Sequence, residues 1–203
     1  ANHIPARVRP PGRYSAYSNY ATALAGYVVE RVAGVPYDEY IEQHILEPLG
    51  MTYTTSRQPL PANLVEHMSE GYRWANGTFE DAPFELITGA APPGAISASA
   101  SDRARFMLAH LNGGELDGRR ILSNETAAMM HARGFEHDPR LPGWALGFYV
   151  SSSHGVRIIG HGGDTQWFHS DLALIPEDNL GVFVSYNTDT GGEVSFAAFM
   201  QAF

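Results

Sequence analysis

An α+β fold is predicted for this chain, with helices in its first part and an antiparallel sheet near its end. Three features of the sequence lead to this prediction. Apolar residues recur three and four positions apart from Asn19 to Ala33, as on one face of a helix. After Pro142, apolar runs of strand length alternate with turn residues. The stretch from Glu193 to Phe203 again has a helical pattern, and helices followed by strands are typical of the α+β class.

Two helices are predicted in the first fifty residues. Residues 1–16 have no hydrophobic period and are predicted to form a loop that leads into the first helix. That helix spans Asn19 to Ala33, and Gly34 is placed to end it. Pro36 suits the first turn of a second helix that runs to about Leu46. We expect the two helices to pack as a hairpin.

The middle of the chain has weaker patterns. Prolines interrupt the stretch from Thr52 to Ser99, which is therefore predicted to contain long loops and short strands. Ser101 is predicted to cap a helix that ends at Leu111, and a short helix is predicted after Ser123.

The predicted sheet is an antiparallel meander of three or four strands. Its apolar runs are Trp144 to Ser152, Gly155 to His161, Phe168 to Ile175 and Leu180 to Asn187. Two of them, GVRIIGH and LGVFVSY, are apolar at nearly every position, as expected of strands buried on both faces. One terminal helix covers only one face, so a further element is expected to cover the other. Residues 1–142 are thus predicted to be mainly helix and loop, and residues 143–203 sheet and helix.

Composition excludes several classes of function. The chain of 203 residues has 13 basic residues, all of them arginine, and 22 acidic residues, which gives a formal net charge of −9. This balance disfavours nucleic-acid binding. The absence of cysteine excludes disulfides, thiolate nucleophiles and cysteine-ligated zinc. No stretch reaches the roughly 18 apolar residues of a spanning helix, so no membrane segment is predicted in this chain.

Two short groups of residues are candidates for chemistry. Tyr17-Ser18-Asn19 lies at the start of the first helix, and His161-Gly162-Gly163 lies at the end of a predicted strand. Each also has an ordinary structural interpretation. Tyr17 could pack on the helices while Asn19 caps the first one. His161 could be a hydrogen-bonded histidine at a sheet end, followed by a glycine turn.

The order and surroundings of these groups resemble a known family. The segments are PGRYSAYSNYATALAGYVVERVAG, YIEQHILEPLGMTYT, PPGAISASASDRARFMLAHLNGG, GWALGFYV and HGGDTQWFHSDLALIPEDNLGVFVSYN. From about Pro11 to Asn187 they resemble the serine beta-lactamases and penicillin-binding-protein-like hydrolases, and most closely the branch of class C beta-lactamases, D-aminopeptidases and esterases. The PLGM turn and the Tyr-x-Asn group are the most specific landmarks.

The resemblance implies a beta-lactamase-like fold and roles for particular residues. In this family a serine of an S-x-x-K motif attacks a carbonyl, and the lysine and the tyrosine of Y-x-N carry the proton. Tyr17 would then be the general base and later the acid, and Asn19 would bind the substrate and the lysine by hydrogen bonds. His161 would replace the strand lysine that is common in beta-lactamases, as in the peptidase and esterase members.

The residues after His161 would receive the substrate carbonyl. Gly162 and Gly163 let the substrate backbone approach closely. The backbone N–H of Asp164 would be one donor of the oxyanion hole, and the nucleophilic serine would supply the other. No cofactor is implied.

The sequence departs from the family pattern because S-x-x-K cannot occur in a chain without lysine. In the family this motif lies N-terminal to Y-x-N, and this chain begins with Ala1 rather than Met. We therefore expect this to be the C-terminal two-thirds or so of a hydrolase, inactive in acyl transfer without an N-terminal segment of the same protein. That segment would also supply strands to the sheet and a helix to cover it.

The substrate class and the compartment are left broad. The resemblance implies an ester, a D-amino-acid peptide or amide, or a beta-lactam as substrate, and His161 favours esters or peptides over lactams. It also implies a bacterial enzyme that is periplasmic or secreted. The alternative is a non-catalytic module descended from the hydrolases, which binds a peptide or acyl group without cleaving it.

Four other groups have competing interpretations. His154, His161 and His169 lie on adjacent predicted strands, but their spacing matches no known zinc-ligand pattern. The aromatic residues Trp144, Tyr149, Trp167 and Phe168 line an acyl pocket in one interpretation and belong to the core in the favoured one. Asp102 and Arg103 are predicted to begin a helix with incidental charge, and Glu177-Asp178 to form a solvated hairpin turn.

Overall fold

A computed structural model of the chain describes residues 4–87, 91–138 and 140–192. Within these residues the α-helices are α1 (Asn19–Ala33), α2 (Tyr37–Ile41), α3 (Ala91–Gly94), α4 (Ala100–Leu111) and α5 (Asn124–His131). A π-helical turn, Glu42–Leu46, continues α2. The strands are β1 (Thr54–Thr55), β2 (Gly71–Ala75), β3 (Thr78–Ala82), β4 (Ser97–Ala98), β5 (Glu115–Leu116), β6 (Arg119–Arg120), β7 (Gly143–Trp144), β8 (Tyr149–Ser153), β9 (Val156–Asp164), β10 (His169–Ile175) and β11 (Leu180–Tyr186).

The last five strands form one antiparallel sheet in the order β11-β10-β9-β8-β7. This is the meander that the sequence predicts, with one difference. The apolar run from Trp144 to Ser152 contains two strands rather than one, because a turn at Gly147, with φ of 81°, folds it into a hairpin that pairs Trp144 with Tyr149. The sheet therefore has five strands.

Helix α4 packs on the sheet and forms the main core with it. Met107 of α4 is buried with Ile159 and Leu174, both of which have 0% exposure. The expectation that β9 and β11 are buried on both faces is wrong for most of their residues, which are only partly buried, and Leu180 is 40% exposed. The helix predicted from Glu193 to Phe203 lies outside the described residues.

Helix α1 has the predicted bounds but few buried residues. Its only buried residue is Gly26, where a Cβ atom would overlap Cγ of Pro92 in α3. Glycine thus permits the close approach of α1 to α3. Four apolar or aromatic side chains of α1 are between 45% and 56% exposed, namely Tyr20, Leu24, Tyr27 and Val28. We call them the α1 stripe.

The segment before α3 contains short strands, as predicted. β2 and β3 form a hairpin around Asn76 and Gly77, whose φ angles of 52° and 83° suit a type I′ turn. The β5–β6 hairpin, which turns at Asp117 and Gly118, was missed in the sequence. None of the helices in the part of the chain that the structure describes has the length and apolar character needed to cross a bilayer.

The start of α4 is anchored by a buried carboxylate. Ser99 rather than the predicted Ser101 caps this helix, since its side chain accepts a hydrogen bond from the Asp102 backbone N–H. Asp102 is 4% exposed. Its Oδ2 accepts hydrogen bonds from the backbone N–H of Tyr53 at 2.7 Å and the hydroxyl of Thr54 at 2.8 Å. The prediction that Asp102 carries an incidental charge is therefore wrong.

A buried histidine and a partly buried one join the ends of α4 and α5. Nδ1 of His110 lies 3.0 Å from Nε2 of His131, and His110 is 3% exposed. Burial, followed by the neighbouring His131, lowers the pKa of His110 to about 4. Burial, followed by Arg157, lowers the pKa of His131. One N–H and one lone pair satisfy this contact, so two N–H groups would face each other once both rings are protonated.

We predict that the folded state loses stability as the pH falls from about 6.5 to about 4. The unfolded histidines bind protons near pH 6.5, whereas the folded pair resists protonation, so the free energy of unfolding is largest above that range. Urea unfolding at a series of pH values measures this loss. The variant His110→Gln should flatten the profile, whereas His44→Gln, at an exposed site, should not. An unchanged slope in His110→Gln would contradict the assignment.

Replacement of the buried Asp102 is predicted to be costly. Asp102→Ala leaves the Tyr53 N–H and the Thr54 hydroxyl without their acceptor, and we expect a loss of at least about 2 kcal/mol in the free energy of unfolding. Asp102→Asn keeps one acceptor oxygen and should lose less. The control is Asp178→Ala in the exposed turn before β11, expected to change stability by less than about 0.5 kcal/mol. Equal losses in the two alanine variants would refute the anchoring role.

Candidate active site

Tyr17 and His161, which the sequence places at opposite ends of the chain, lie side by side. Their ring centroids are 5.7 Å apart and the ring planes are inclined at 49°. Tyr17 ends the loop before α1, and His161 belongs to β9. The loop side and the sheet side of the molecule therefore meet at these two rings.

Trp144 and Tyr149 complete a cluster of four rings with them. Trp144 stacks 6.2 Å from Tyr17, and its centroid is 4.6 Å from that of Tyr149. Tyr149 in turn stacks 4.8 Å from His161. Tyr149 is 37% exposed, so the interpretation of these aromatic residues as core is wrong for it. Pairing of Trp144 with Tyr149 across the β7–β8 hairpin brings both to the site.

The other two aromatic residues of that predicted group lie elsewhere. Trp167 packs against Gly71. A Cβ atom on Gly71 would lie 2.7 Å from the Cβ atom of Trp167. Phe168 lines a separate cavity between α4 and the sheet. The sequence pattern does not show that two of the four aromatic residues lie at the candidate site and two lie elsewhere.

Local hydrogen bonds at the start of α1 orient the Tyr-x-Asn group. Ser18 is the N-cap, with extended backbone, and its Oγ accepts the Ala21 N–H at 3.2 Å. Asn19 is the first helical residue, so the interpretation of Asn19 as the cap is wrong. Within the described part of the chain, the Asn19 side chain makes no hydrogen bond. The cap fixes the backbone that carries Tyr17 and leaves the Asn19 amide available.

The hydrogen bond of His161 fixes its neutral tautomer. Nδ1 lies 2.6 Å from the carbonyl oxygen of Gly162, and a carbonyl only accepts. Nδ1 therefore carries the proton, and in the neutral ring Nε2 has a free lone pair. An imidazole in this state accepts a hydrogen bond or a proton at Nε2.

The two glycines after His161 differ in their surroundings. A Cβ atom at Gly163 would meet nothing within 4 Å, whereas at Gly162 it would lie 3.5 Å from Oδ2 of Asp171. Gly163 thus borders open space that a substrate could enter. At the end of β9, the Asp164 carboxylate lies 2.7 Å from Nδ1 of His169 and holds the turn into β10.

The electrostatics keep Tyr149 and Asp171 less readily ionised than usual. Burial raises the pKa of Tyr149, and the charges of Tyr17 and Asp171 raise it further. Tyr149 is therefore a neutral hydrogen-bond donor at neutral pH. Burial also raises the pKa of the Asp171 carboxyl, as does Asp164, while the Leu172 N–H and His161 oppose this.

The structure does not bring the three histidines of the zinc interpretation together. His154 contacts Ser153, and His169 contacts Asp164. Within residues 4–87, 91–138 and 140–192, no group of three or more His, Asp or Glu side chains is arranged to hold a metal ion. What the site offers is a phenol, an imidazole and a glycine-lined strand end, which suit proton transfer and carbonyl binding.

Known proteins are similar to this chain in sequence. Penicillin-binding protein 4 of Amycolatopsis lactamdurans is 29% identical over 198 residues, which cover 92% of this chain and 50% of that protein. The D-alanyl-D-alanine-carboxypeptidase/endopeptidase AmpH of Escherichia coli (strain K12) is 27% identical over 182 residues, which cover 86% of this chain and 45% of that protein. The chain thus spans half or less of the length of these relatives.

The fold of this chain is also similar to that of a solved structure. The octameric penicillin-binding protein homologue from Pyrococcus abyssi superposes with a TM-score of 0.78 at 26% identity, over 96% of this chain and 44% of that chain. This confirms the α+β, beta-lactamase-like fold class. The family model described as Beta-lactamase matches residues 5–202, nearly the whole sequence. The chain therefore belongs to the Beta-lactamase family, as its Tyr-x-Asn and His-x-Gly groups predict.

Proposed function

We propose that this chain carries part of the catalytic site of a serine hydrolase that works through an acyl-enzyme. The observation that carries the proposal is the 5.7 Å separation of the Tyr17 and His161 rings. A phenol beside an imidazole at an open, glycine-lined strand end is an arrangement for proton transfer next to a bound carbonyl. A purely structural pair would have no need of the open space at Gly163.

Tyr17 is proposed as the proton carrier. Its side chain is 50% exposed, so a nucleophile and a leaving group can reach its oxygen. It would take the proton from the attacking hydroxyl and return it to the leaving group, which makes it base and then acid. A neighbouring positive charge favours the phenolate over the phenol, so this role requires a cation nearby.

The end of β9 is proposed to hold the substrate. His161, with Nε2 free, accepts a hydrogen bond from substrate or from the proton relay. The backbone at Gly162 and Gly163 lets the acyl group lie close to the strand, and the N–H of Asp164 is proposed as an oxyanion donor. The unengaged amide of Asn19 is proposed to bind the substrate from the other side.

The nucleophile is proposed to come from polypeptide outside this sequence. The family mechanism needs an S-x-x-K motif, and this sequence contains no lysine. The chain also covers only 50% and 45% of the two relatives named above, which leaves room in such proteins for further segments. The serine and the lysine would complete the site beside Tyr17, and the lysine ammonium would supply the required cation.

The substrate class is proposed from the relatives and from His161. The name of one relative describes a D-alanyl-D-alanine carboxypeptidase and endopeptidase. We propose an amide, peptide or ester substrate in preference to a beta-lactam, because an imidazole stands where the beta-lactamases of this family carry a strand lysine.

The second candidate function is the binding of peptides or acyl groups by a non-catalytic module descended from the hydrolases. The absence of lysine from the sequence favours it. The neighbouring phenol and imidazole favour the enzyme, since binding alone needs neither. Chemical labelling separates the two proposals.

We predict that a fluorophosphonate probe labels a longer form of the protein that carries S-x-x-K and does not label the 203-residue chain. The probe reacts only with an activated serine, and the chain alone lacks the means to activate one. Gel fluorescence and mass spectrometry of the labelled peptide read the result. Labelling of the 203-residue chain, or absence of labelling in the longer form, would count against the proposed enzyme.

In that longer form, Tyr17→Phe is predicted to lower kcat for a chromogenic ester by at least about 100-fold, because it removes the proton carrier. Thermal stability should change little, since Tyr17 is half exposed. Tyr20→Phe, which removes a hydroxyl from an exposed position on α1, is the matched control and should retain kcat. Near-normal turnover in Tyr17→Phe would remove Tyr17 from the mechanism.

A further inference from the structure

The histidine contact between the ends of α4 and α5 is connected to the candidate active site through one side chain. Phe148 lies in the turn between β7 and β8 and is 5% exposed. Its ring is nearly perpendicular to both imidazoles, with centroid distances of 5.3 Å to His110 and 5.6 Å to His131. The next residue is Tyr149, whose ring stacks on that of His161. The packing of Phe148 on the two imidazoles therefore helps to determine where the Tyr149 ring stands.

The β7–β8 hairpin is also attached to the end of α5. β7 has only two residues and lies at the edge of the sheet. The Leu146 N–H donates to the Met130 carbonyl at 3.1 Å, and Trp144 exchanges backbone hydrogen bonds with Phe135 in the loop after α5. Because α5 ends at His131, a displacement of this histidine would act directly on the hairpin.

The two imidazoles have no counter-charge for an added proton. From α4, Phe106 packs with its ring centroid 4.5 Å from that of His110, and Phe148 packs from the β7–β8 turn. Neither His110 nor His131 makes an ion pair with a carboxylate of the residues that the structure describes. A proton added to this contact is therefore not compensated by a nearby negative charge.

The neighbouring cations oppose protonation further. Arg157 of β9 donates to the carbonyl oxygen of His131, and its charge, after burial, lowers the pKa of that imidazole. Glu177 pairs with Arg157 at 3.4 Å and offsets part of this charge. Arg133, which follows α5, pairs with Glu136. A proton on His131 would thus place a second positive charge beside a guanidinium, which is unfavourable where water is scarce.

The contact is stable with one proton between the two facing nitrogens and unstable with two. In the neutral pair, one ring N–H faces one lone pair across 3.0 Å. When both rings are protonated, two N–H groups face each other and two positive charges lie together away from water. Imidazoles that are separate and hydrated bind protons near pH 6.5. Acid therefore favours an arrangement in which the two rings are apart.

We propose that the His110–His131 contact is an acid-sensitive latch for the candidate active site. Protonation of both imidazoles separates the ends of α4 and α5, releases Phe148 and moves the β7–β8 hairpin away from His161, while β9, β10 and β11 stay paired. The neutral contact keeps the latch closed at pH 7 and above. Every group of the latch lies within the described residues, so the proposal needs no polypeptide outside this sequence and does not depend on the function proposed above.

The first test follows the hairpin and the sheet separately in the unmodified 203-residue chain. Hydrogen–deuterium exchange with mass spectrometry is measured from pH 7 to pH 4.5 and corrected for the intrinsic pH dependence of amide exchange. We expect protection of residues 143–149 to fall below about pH 6.5. The fall should approach about 100-fold per pH unit, because opening takes up two protons. Residues 169–186 should keep their protection. Equal loss in both segments, or no loss in residues 143–149, would overturn the proposal.

The second test removes one titrating ring at a time. His131→Gln places an amide near the position of Nε2, and His110→Asn places one near the position of Nδ1. Each should reduce the pH dependence at residues 143–149 to about tenfold per pH unit, because one proton remains. His137→Gln is the matched control, since His137 lies in the loop after α5 and contacts Phe135 and Tyr14 instead of the pair. An unchanged pH dependence in both pair variants would overturn the assignment.

The third test separates the latch from the titratable groups of the candidate site. His161 and Asp171 both interact with Tyr149, and they would also respond to acid if they controlled the hairpin. His161→Gln and Asp171→Asn should each retain the loss of protection at residues 143–149. Disappearance of that loss in either variant would assign the effect to the candidate site and overturn the latch.

Discussion

The packing of α4 on the five-stranded sheet is the contact on which the position of the site depends. A Cβ atom at Gly181 of β11 would lie 3.2 Å from the sulfur of Met107, so a glycine there eases this close approach. Ile159 is fully buried in the same core. Because β9 continues from Ile159 to His161, the core determines where the imidazole stands. Asp102, in the first turn of α4, accepts a hydrogen bond from the Tyr53 N–H and thereby anchors the start of the helix.

The two sides of the candidate site are held in different ways. His161 stands on a strand with hydrogen-bonded neighbours on both sides, whereas Tyr17 stands on a loop that the Ser18 cap joins to α1. That helix buries only Gly26 among its fifteen residues. Few buried contacts mean a small free energy for local opening. The tyrosine side of the site is thus the side whose geometry depends most on whatever packs against α1.

Sequence patterns predicted the features that one segment determines by itself. The end of α1 at Gly34, a short helix after Ser123 and the antiparallel meander were all predicted. Features that depend on distant residues were not. Asp102 is buried because it binds a backbone N–H 49 positions earlier, and Tyr149 reaches His161 through sheet register. Periodicity carries no information on such pairings. Tyr17, Asn19 and His161 were found through the family resemblance, since each alone had an ordinary structural explanation.

The α1 stripe has a consequence for how the chain behaves in solution. Contiguous apolar side chains at a surface promote contact between molecules. A net charge of −9 opposes that contact by mutual repulsion. Added salt shortens the range of this repulsion and leaves the apolar attraction in place. We therefore expect self-association of the isolated chain to increase with ionic strength.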